Sequence, residues 1–175
     1  MIGLFLGDPT GIGPEISIKS IVNNDFKDKI VIFGSEDVLK MGMEVSGLNL
    51  NYEVYKKIED INDNQHDKKI PLVNVGNFSR ESYQLGDINK ESGKYTVNVL
   101  QKMLYLAEGK ILDGIVYGPL SKEAINLSGF NYKDELELFK DMLSSKDYVG
   151  EMNYMDGLWT ARVTSHIPFA DIVEN

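Results

Sequence analysis

The sequence predicts an α/β fold: a mostly parallel sheet with flanking helices, followed by an antiparallel hairpin of a second domain. Strand-like and helix-like segments alternate along most of the 175 residues, which is the pattern of parallel strands joined by crossover helices. An apolar strand, a glycine-rich turn and a helix follow one another directly over residues 2–24. Near the end, Asp156-Gly157 separates two strand-like segments, and Asp-Gly is a strong signal for a two-residue hairpin turn.

The first part of the chain contains four segments of strand length, of which the third is a weaker strand. They are Ile2–Leu6, Ile30–Phe33, Tyr52–Tyr55 and Ile70–Val75. Pro14 suits the first position of a helix that runs to about Asn24, because proline needs no hydrogen-bond acceptor there. Ser35 is placed to cap a second helix. The polar residues 56–69 predict a surface loop.

The second part predicts three helices and a strand before the hairpin. A long helix runs from about Ser92 to Gly109, which is a plausible C-cap. The next strand is Ile111–Tyr117, and Ser121 then caps a short helix. Further helices are predicted around residues 136–143 and from Pro168. We place the domain boundary so that residues 1–128 form the α/β domain and residues 129–175 begin a second domain.

Composition excludes several classes of protein. The formal net charge of −9 argues against nucleic-acid and anionic-membrane partners, because both carry the same sign of charge. The chain has no cysteine, which excludes disulfides and thiolate metal sites. No apolar stretch approaches the roughly 20 residues that span a bilayer. We therefore expect a cytoplasmic protein.

The glycine-rich turn Gly7–Glu15 leaves two interpretations open. Ile16 stands where the dinucleotide fingerprint needs its third glycine, and no Gly-Lys-Ser/Thr follows, which disfavours a kinase-like phosphate binder. The turn is either a tight connection whose glycines serve geometry, or a site that holds an anion at a helix N-terminus. In the first interpretation Asp8 is a helix cap and Glu15 is an acid in the first helical turn. In the second, both residues belong to a polar site.

Two other positions follow predicted strands. Gly118-Pro119-Leu120-Ser121-Lys122 ends the strand at Tyr117, and ligand crevices of open α/β sheets lie at the carboxyl ends of strands. Lys122 could neutralise an anionic substrate there or simply be solvated. His166 also follows an apolar strand, but a metal site needs about three protein ligands, and the only other histidine is His66.

Together these strand-end motifs resemble the 4-hydroxythreonine-4-phosphate dehydrogenase family of pyridoxal phosphate biosynthesis. The matching segments are Gly7–Glu15, Gly118–Lys122 with Ile125-Asn126, and Thr164–Phe169 with Asp171-Ile172. Their order and spacing match the first half of a typical family member. The resemblance implies a fold like that of isocitrate and isopropylmalate dehydrogenases.

The resemblance also implies an activity and its cofactors. The family oxidises a small phosphorylated hydroxy amino acid with NAD, and the keto acid that results decarboxylates. A divalent metal (Zn, Mg or Co) polarises the reacting oxygens. By resemblance, His166 is a metal ligand beside two histidines from later sequence, in a site shared by a homodimer. Lys122 and Asp8 are the catalytic candidates, and no residue of this chain is assigned to NAD.

One segment departs from the family pattern. Members carry Gly-His-Thr-Glu where this chain has Asp134-Glu135-Leu136-Glu137, so the substrate-binding candidates are Glu135, Leu136 and Glu137. An acid beside an anionic substrate is electrostatically unfavourable. The alternative is therefore a non-catalytic remnant or binding module on the same scaffold. In either case we expect the 175-residue chain alone to be inactive.

Overall fold

The computed structural model describes residues 1–24, 29–61, 69–79, 83–132, 135–144, 150–162, 164 and 167–173. The chain divides into two compact units, Met1–Tyr132 (unit 1) and Lys133–Asn175 (unit 2). Each unit is described by itself.

Unit 1 is built on a five-stranded parallel sheet. The strands are β1 (Ile2–Phe5), β2 (Ile30–Gly34), β3 (Tyr52–Tyr55), β4 (Ile70–Asn74) and β5 (Gly114–Tyr117). They lie in the order β3-β4-β2-β1-β5, and every neighbouring pair is parallel. The chain leaves β1 toward β2 but returns to the opposite side of β1 at β5. The strand order therefore reverses beside β1, which is where open α/β sheets form ligand crevices.

Helices cover both faces of this sheet. They are α1 (Gly13–Asn23), α2 (Glu36–Ser46), α3 (Lys90–Glu108) and α4 (Lys122–Leu127). The helices pack in pairs, α1 with α2 and α3 with α4, and α3 also contacts β1, β2 and β5. All five residues of β2 are buried, as expected of a parallel strand with helices above and below it.

Unit 2 contains α5 (Glu135–Met142), β6 (Met152–Met155) and β7 (Leu158–Ala161). The antiparallel strands β6 and β7 are joined through Asp156-Gly157, which confirms the predicted hairpin. The rings of Tyr154 and Trp159 face each other across it, with centroids 4.7 Å apart.

The fold class predicted from the sequence is confirmed: a parallel α/β sheet with flanking helices, followed by a small antiparallel hairpin. Ser35 and Ser121 cap helices as predicted, accepting hydrogen bonds from the amides of Asp37 and Ala124. None of the helices in the described parts of the chain has the length and apolar character that crossing a membrane requires.

Two element boundaries differ from prediction. The long helix begins at Lys90, because the side chain of Asn89 accepts a hydrogen bond from the Ser92 amide. The strand predicted from Ile111 begins only at Gly114, since the Ile111 and Leu112 amides turn back to the carbonyl of Leu106.

The other two corrections concern short turns. The helix predicted from Pro168 is wrong: in the described residues 167–173 there is only one 3₁₀ turn, Phe169–Asp171. The predicted surface loop contains a 3₁₀ turn at Ile58–Asp60, and its residues 62–68, including His66, lie outside the described residues.

Candidate functional site

The two glycine-rich turns that follow β1 and β5 lie side by side. The amide of Asp8 donates to the carbonyl of Pro119 at 2.9 Å, and the amide of Gly118 donates to the carbonyl of Phe5 at 3.0 Å. Because β1 and β5 are neighbours in the sheet, their carboxyl ends present both turns at one edge. The structure thus brings together two motifs that are more than 100 residues apart in the chain.

Glycines make this close approach possible. A Cβ on Gly13 would lie 2.3 Å from the carbonyl oxygen of Leu6, and one on Gly118 would lie 2.5 Å from the same atom. Gly7 has φ +90°, and its Cβ would lie 2.7 Å from the carbonyl oxygen of Pro119. These contacts support the interpretation of the first motif as a tight turn whose glycines serve geometry.

Asp8 is a buried carboxylate that shapes the first turn. Its Oδ1 accepts a hydrogen bond from the Thr10 amide at 3.0 Å and lies 3.0 Å from the Thr10 hydroxyl. Asp8 does not cap α1, because the N-cap position is Ile12 and carries no side-chain hydrogen bond. Glu15 is the first-turn acid and pairs with Lys19 at 2.5 Å.

The segment between β4 and α3 contacts this turn. The Gly86 amide donates to the carbonyl of Thr10 at 2.8 Å, and the Thr10 hydroxyl lies 2.7 Å from the carbonyl oxygen of Asp87. A groove of about 370 Å³ runs between Ile12, Val45 and Leu85. The first turn is therefore fixed from two sides, and its outer surface is largely apolar.

Lys122 is the first residue of α4 and is exposed. The hydroxyl of Ser121 holds the start of this helix by accepting from the Ala124 amide at 3.2 Å. The opposite side of α4 packs so closely on α3 that a Cβ on Gly93 would lie 1.9 Å from the carbonyl oxygen of Ala124. The long helix α3 thus sets the position of Lys122 at the carboxyl end of β5.

Sequence reasoning missed a third strand-end contact, made by Tyr95 of α3. Its hydroxyl accepts a hydrogen bond from the Ser35 amide at 2.7 Å, and a Cβ on Gly34 would lie 2.6 Å from the same hydroxyl. Its ring contacts Phe5 and Phe78, with centroids 5.9 Å and 5.3 Å away. Burial raises the pKa of the Tyr95 phenol well above its ordinary value.

Tyr95 also lines a polar cavity of about 350 Å³ beyond the end of β4. Asn77, Ser79, Lys94 and Asn98 contribute polar groups to its wall. The only signal in the sequence was the apolar spacing of α3, which marks Tyr95 as a core residue but does not reveal its hydrogen bond.

The remaining site candidates belong to unit 2. Glu135, Leu136 and Glu137 form the first turn of α5; the first two are partly buried and Glu137 is exposed. Asp134 and His166 lie outside the described residues. Within the parts of the chain that the structure describes, no three histidine, aspartate or glutamate side chains are grouped so that they could hold a metal ion. The metal-ligand role of His166 stays a prediction.

Comparison with known proteins identifies the family of this chain. The family model described as "Pyridoxal phosphate biosynthetic protein PdxA" matches residues 26–175. The chain belongs to the PdxA family. The match begins after the first glycine-rich turn, although the alignments with individual relatives include nearly the whole chain.

Two curated relatives show how much of a PdxA-family protein is present. A Pasteurella multocida protein named "Putative 4-hydroxythreonine-4-phosphate dehydrogenase" is 34% identical over 177 residues, which is 99% of this chain and 52% of the relative. A Clostridium botulinum protein named "Putative D-threonate 4-phosphate dehydrogenase" is 28% identical over 149 residues, which is 84% of this chain and 44% of the relative. The chain spans about half the length of the curated relatives it matches.

A solved structure supports the fold. The 4-hydroxythreonine-4-phosphate dehydrogenase of Klebsiella pneumoniae superposes with a TM-score of 0.81 and 23% sequence identity. The superposition covers 99% of this chain and 52% of that one. The α/β sheet and the following hairpin are therefore shared with a PdxA-family structure.

Proposed function

We propose that this chain supplies part of an NAD- and divalent-metal-dependent dehydrogenase that oxidises a small phosphorylated hydroxy acid in pyridoxal phosphate biosynthesis. The observation that carries the proposal is the PdxA family match over residues 26–175, together with relatives named as dehydrogenases. The pairing of the β1 and β5 turns at one sheet edge supports it, because this edge is where α/β enzymes bind ligands. We expect a cytoplasmic homodimer.

His166, Lys122 and Asp8 have different roles in this proposal. When bound, NAD accepts a hydride and the metal acts as a Lewis acid. By the family resemblance, His166 would contribute one imidazole, a ligand that suits zinc and cobalt, beside two histidines from the part of the family's length that this chain does not span. Lys122, an exposed residue at the carboxyl end of β5, would interact with an anionic group of the substrate. Asp8 holds the neighbouring turn in shape through Thr10.

The substrate we favour resembles 4-phosphohydroxy-L-threonine. Glu135 and Leu136 occupy the positions of the family's His-Thr pair, and a carboxylate there would repel a purely anionic substrate. An amino acid substrate carries an ammonium that can pair with Glu135, whereas D-threonate 4-phosphate has none. The name of the Clostridium botulinum relative makes D-threonate 4-phosphate the second candidate.

The test is NADH formation, followed by absorbance at 340 nm, with each substrate, NAD, and zinc or magnesium. We expect no NADH from the 175-residue chain alone, because the resemblance assigns the other metal ligands and most NAD contacts to the part of the family's length that this chain does not span. We expect turnover when the chain is combined with the remaining half of the Pasteurella multocida relative, and loss of turnover in His166→Ala. Turnover by the chain alone would contradict this assignment. Absence of turnover in the combination would favour the non-catalytic binding module.

The variant Glu135→Gln distinguishes between the two candidate substrates. If Glu135 pairs with a substrate ammonium, the variant, assayed in the active combination with the Pasteurella multocida half, raises KM for 4-phosphohydroxy-L-threonine about tenfold, which corresponds to loss of a charge-assisted contact of roughly 1.4 kcal/mol. Glu108→Gln, an exposed acid at the end of α3, is the matched control and should leave KM unchanged. A lower KM in Glu135→Gln would instead show repulsion of the substrate by the carboxylate.

A further inference from the structure

The chain contains two Asp-Gly pairs, Asp113-Gly114 and Asp156-Gly157. Among aspartyl dipeptides this one is the most prone to rearrange spontaneously, because glycine has no side chain to hinder attack by its backbone nitrogen on the neighbouring carboxyl carbon. The attack requires a mobile backbone and an accessible nitrogen, which a folded structure either permits or denies. The two pairs are therefore matched sites within one molecule.

Asp156-Gly157 forms the whole connection between β6 and β7. Met155 and Leu158 are the last register pair, so the turn has two residues. Both turn residues are exposed, and a Cβ on Gly157 would meet no atom within 4 Å. Among the described residues, none accepts a hydrogen bond from the Gly157 amide. This nitrogen is thus accessible to the carboxyl group of Asp156.

The backbone of this turn does not match the twist of its strands. Gly157 has φ +76°, but Lys110 and Ser144 are the only non-glycine residues with positive φ in the described parts of the chain, so the φ of Asp156 is negative. The turns that suit a two-residue hairpin have positive φ at the first position. Because all eight strand residues are exposed and an isolated hairpin is marginally stable, little packing holds this turn in place.

The other pair is held at the start of β5. Gly114 is the first residue of this strand and pairs with Ile2 in the sheet. The Asp113 amide donates to the carbonyl of Met1 at 3.0 Å, and the Asp113 carboxylate is paired with the N-terminal ammonium. Reaction at Asp113 would rotate its backbone and withdraw the carboxylate from this ion pair. The start of β5 must therefore open locally before Asp113 can react, and the free energy of opening slows the reaction.

We propose that Asp156 is a site of spontaneous isoaspartate formation, and that the fold protects Asp113 from the same modification. The Gly157 nitrogen attacks Cγ of the protonated Asp156 carboxyl group. A C–N bond forms, the C–OH bond breaks, and the hydroxyl leaves as water with the amide proton, which gives a succinimide. Water then adds to the main-chain carbonyl carbon of this ring, and the bond from that carbon to the nitrogen breaks. The chain then continues through the side chain of residue 156, with no net change in mass and no oxidant required.

Isoaspartate adds one carbon to the backbone of the turn. The length of a hairpin turn fixes the register of its strands, and in the present register Tyr154 lies opposite Trp159 with ring centroids 4.7 Å apart. A longer turn changes this register and separates the two rings. Modification of Asp156 therefore alters the hairpin while leaving unit 1 intact. The proposal does not depend on any dehydrogenase activity.

The test is incubation of the purified 175-residue chain at neutral pH and physiological temperature, followed by tryptic digestion. Residues 111–122 and 147–162 form two tryptic peptides with one Asp-Gly pair each. Electron-transfer fragmentation quantifies isoaspartate in both, because it cleaves the Cα–Cβ bond that isoaspartate places in the backbone. We expect isoaspartate to accumulate about tenfold faster at Asp156 than at Asp113, which corresponds to an opening free energy of about 1.4 kcal/mol at the start of β5.

The same incubation in urea separates the effect of the fold from that of the sequence. In the unfolded chain the two rates should become nearly equal, because both sites are then flexible Asp-Gly pairs. Equal rates at Asp156 and Asp113 in the folded chain would overturn the proposal. A tenfold difference that persists in urea would also overturn it, because neighbouring residues and not the fold would then set the rates.

Asp156→Glu is the matched variant for the effect on the hairpin. It keeps the negative charge, but a glutamate would have to form a six-membered imide, which forms far more slowly than a succinimide. The fluorescence of Trp159 should change during incubation of the unmodified chain and stay constant in Asp156→Glu. A change of the same size in both proteins would show that isoaspartate at Asp156 does not alter the hairpin.

Discussion

Gly13 lies where the start of α1 touches the end of β1. A Cβ at this position would come within 2.3 Å of the backbone carbonyl of Leu6, which cannot move without shifting β1. We expect Gly13→Ala to lower the free energy of unfolding by about 1–3 kcal/mol, the usual cost of overpacking. Urea denaturation followed by circular dichroism measures this change.

Gly11→Ala is the control for Gly13→Ala. A Cβ on Gly11 would lie 3.5 Å from its nearest neighbour, the Cβ of Asp8, which is an ordinary contact distance. Gly11→Ala should change the free energy of unfolding by no more than about 0.5 kcal/mol. Equal destabilisation by both variants would contradict the assignment of Gly13 to close packing.

Tyr95 is the residue whose importance the sequence did not reveal. Tyr95→Phe removes the acceptor of the Ser35 amide and leaves a buried N–H without that partner. We expect a loss of about 1–3 kcal/mol in the free energy of unfolding. Tyr105→Phe, at an exposed position of the same helix (69%), should change stability little. A neutral Tyr95→Phe would show that water or another group replaces the hydroxyl.

The same hydroxyl predicts a dependence on pH. Burial raises the pKa of Tyr95 in the folded state above its ordinary value near 10. The unfolded chain therefore loses this proton first, and the stabilisation is complete below about pH 10 and decreases as the pH rises above it. The stability difference between the unmodified chain and Tyr95→Phe should therefore be constant below about pH 10 and shrink steadily as the pH rises above it. A constant difference would contradict the raised pKa.

At the scale of elements, the contact of α3 with α4 controls the position of Lys122. A Cβ on Gly93 would lie 1.9 Å from the carbonyl oxygen of Ala124, so Gly93→Ala forces the two helices apart. We expect destabilisation of about 3 kcal/mol and faster amide exchange in α4. Gly109→Ala, at the other end of α3, places its Cβ 3.4 Å from the nearest atom and should be nearly neutral. If amide exchange in α4 is unchanged in Gly93→Ala, the contact with α3 does not control the position of α4.

Elements were predictable where local pattern and packing agree. Runs of strand length located all five strands of unit 1, and Asp156-Gly157 located the hairpin. Each of these signals is contained within a few consecutive residues, so it can be recognised without the fold. The start of β5 was not predictable, since it depends on the Leu106 carbonyl at the end of α3. Pro168 is compatible with the start of a helix, but compatibility does not supply the packing that sustains one.

For the whole molecule, the sequence predicted two strand-end turns as site candidates, but not how these turns are held. The pairing of the β1 and β5 turns depends on strand order, which no local pattern encodes. Asp8 could be recognised as polar and near a glycine turn, but its bonds to Thr10 follow from the folded loop. The candidates Glu135, Leu136, Glu137 and His166 rest on family resemblance, because single-sequence patterns do not distinguish ligands from surface residues.

The distribution of buried side chains predicts that the two units unfold separately. Among the described residues, Leu138 is the only buried apolar side chain of unit 2, and the others lie in unit 1. All eight strand residues of the hairpin are exposed, and an isolated two-stranded hairpin is marginally stable in water. Unit 2 should therefore unfold at a lower concentration of urea than unit 1.

The sole tryptophan of the chain, Trp159 in β7, makes this measurable. Its side chain is 65% exposed and contacts Tyr154. We expect its fluorescence to change at a lower urea concentration than far-UV circular dichroism, which reports mainly on the helices of unit 1. Trp159→Phe should leave the circular dichroism transition in place, because the substitution lies outside unit 1. Coincident transitions would show that the two units unfold as one, and that the core of unit 1 stabilises the hairpin as well.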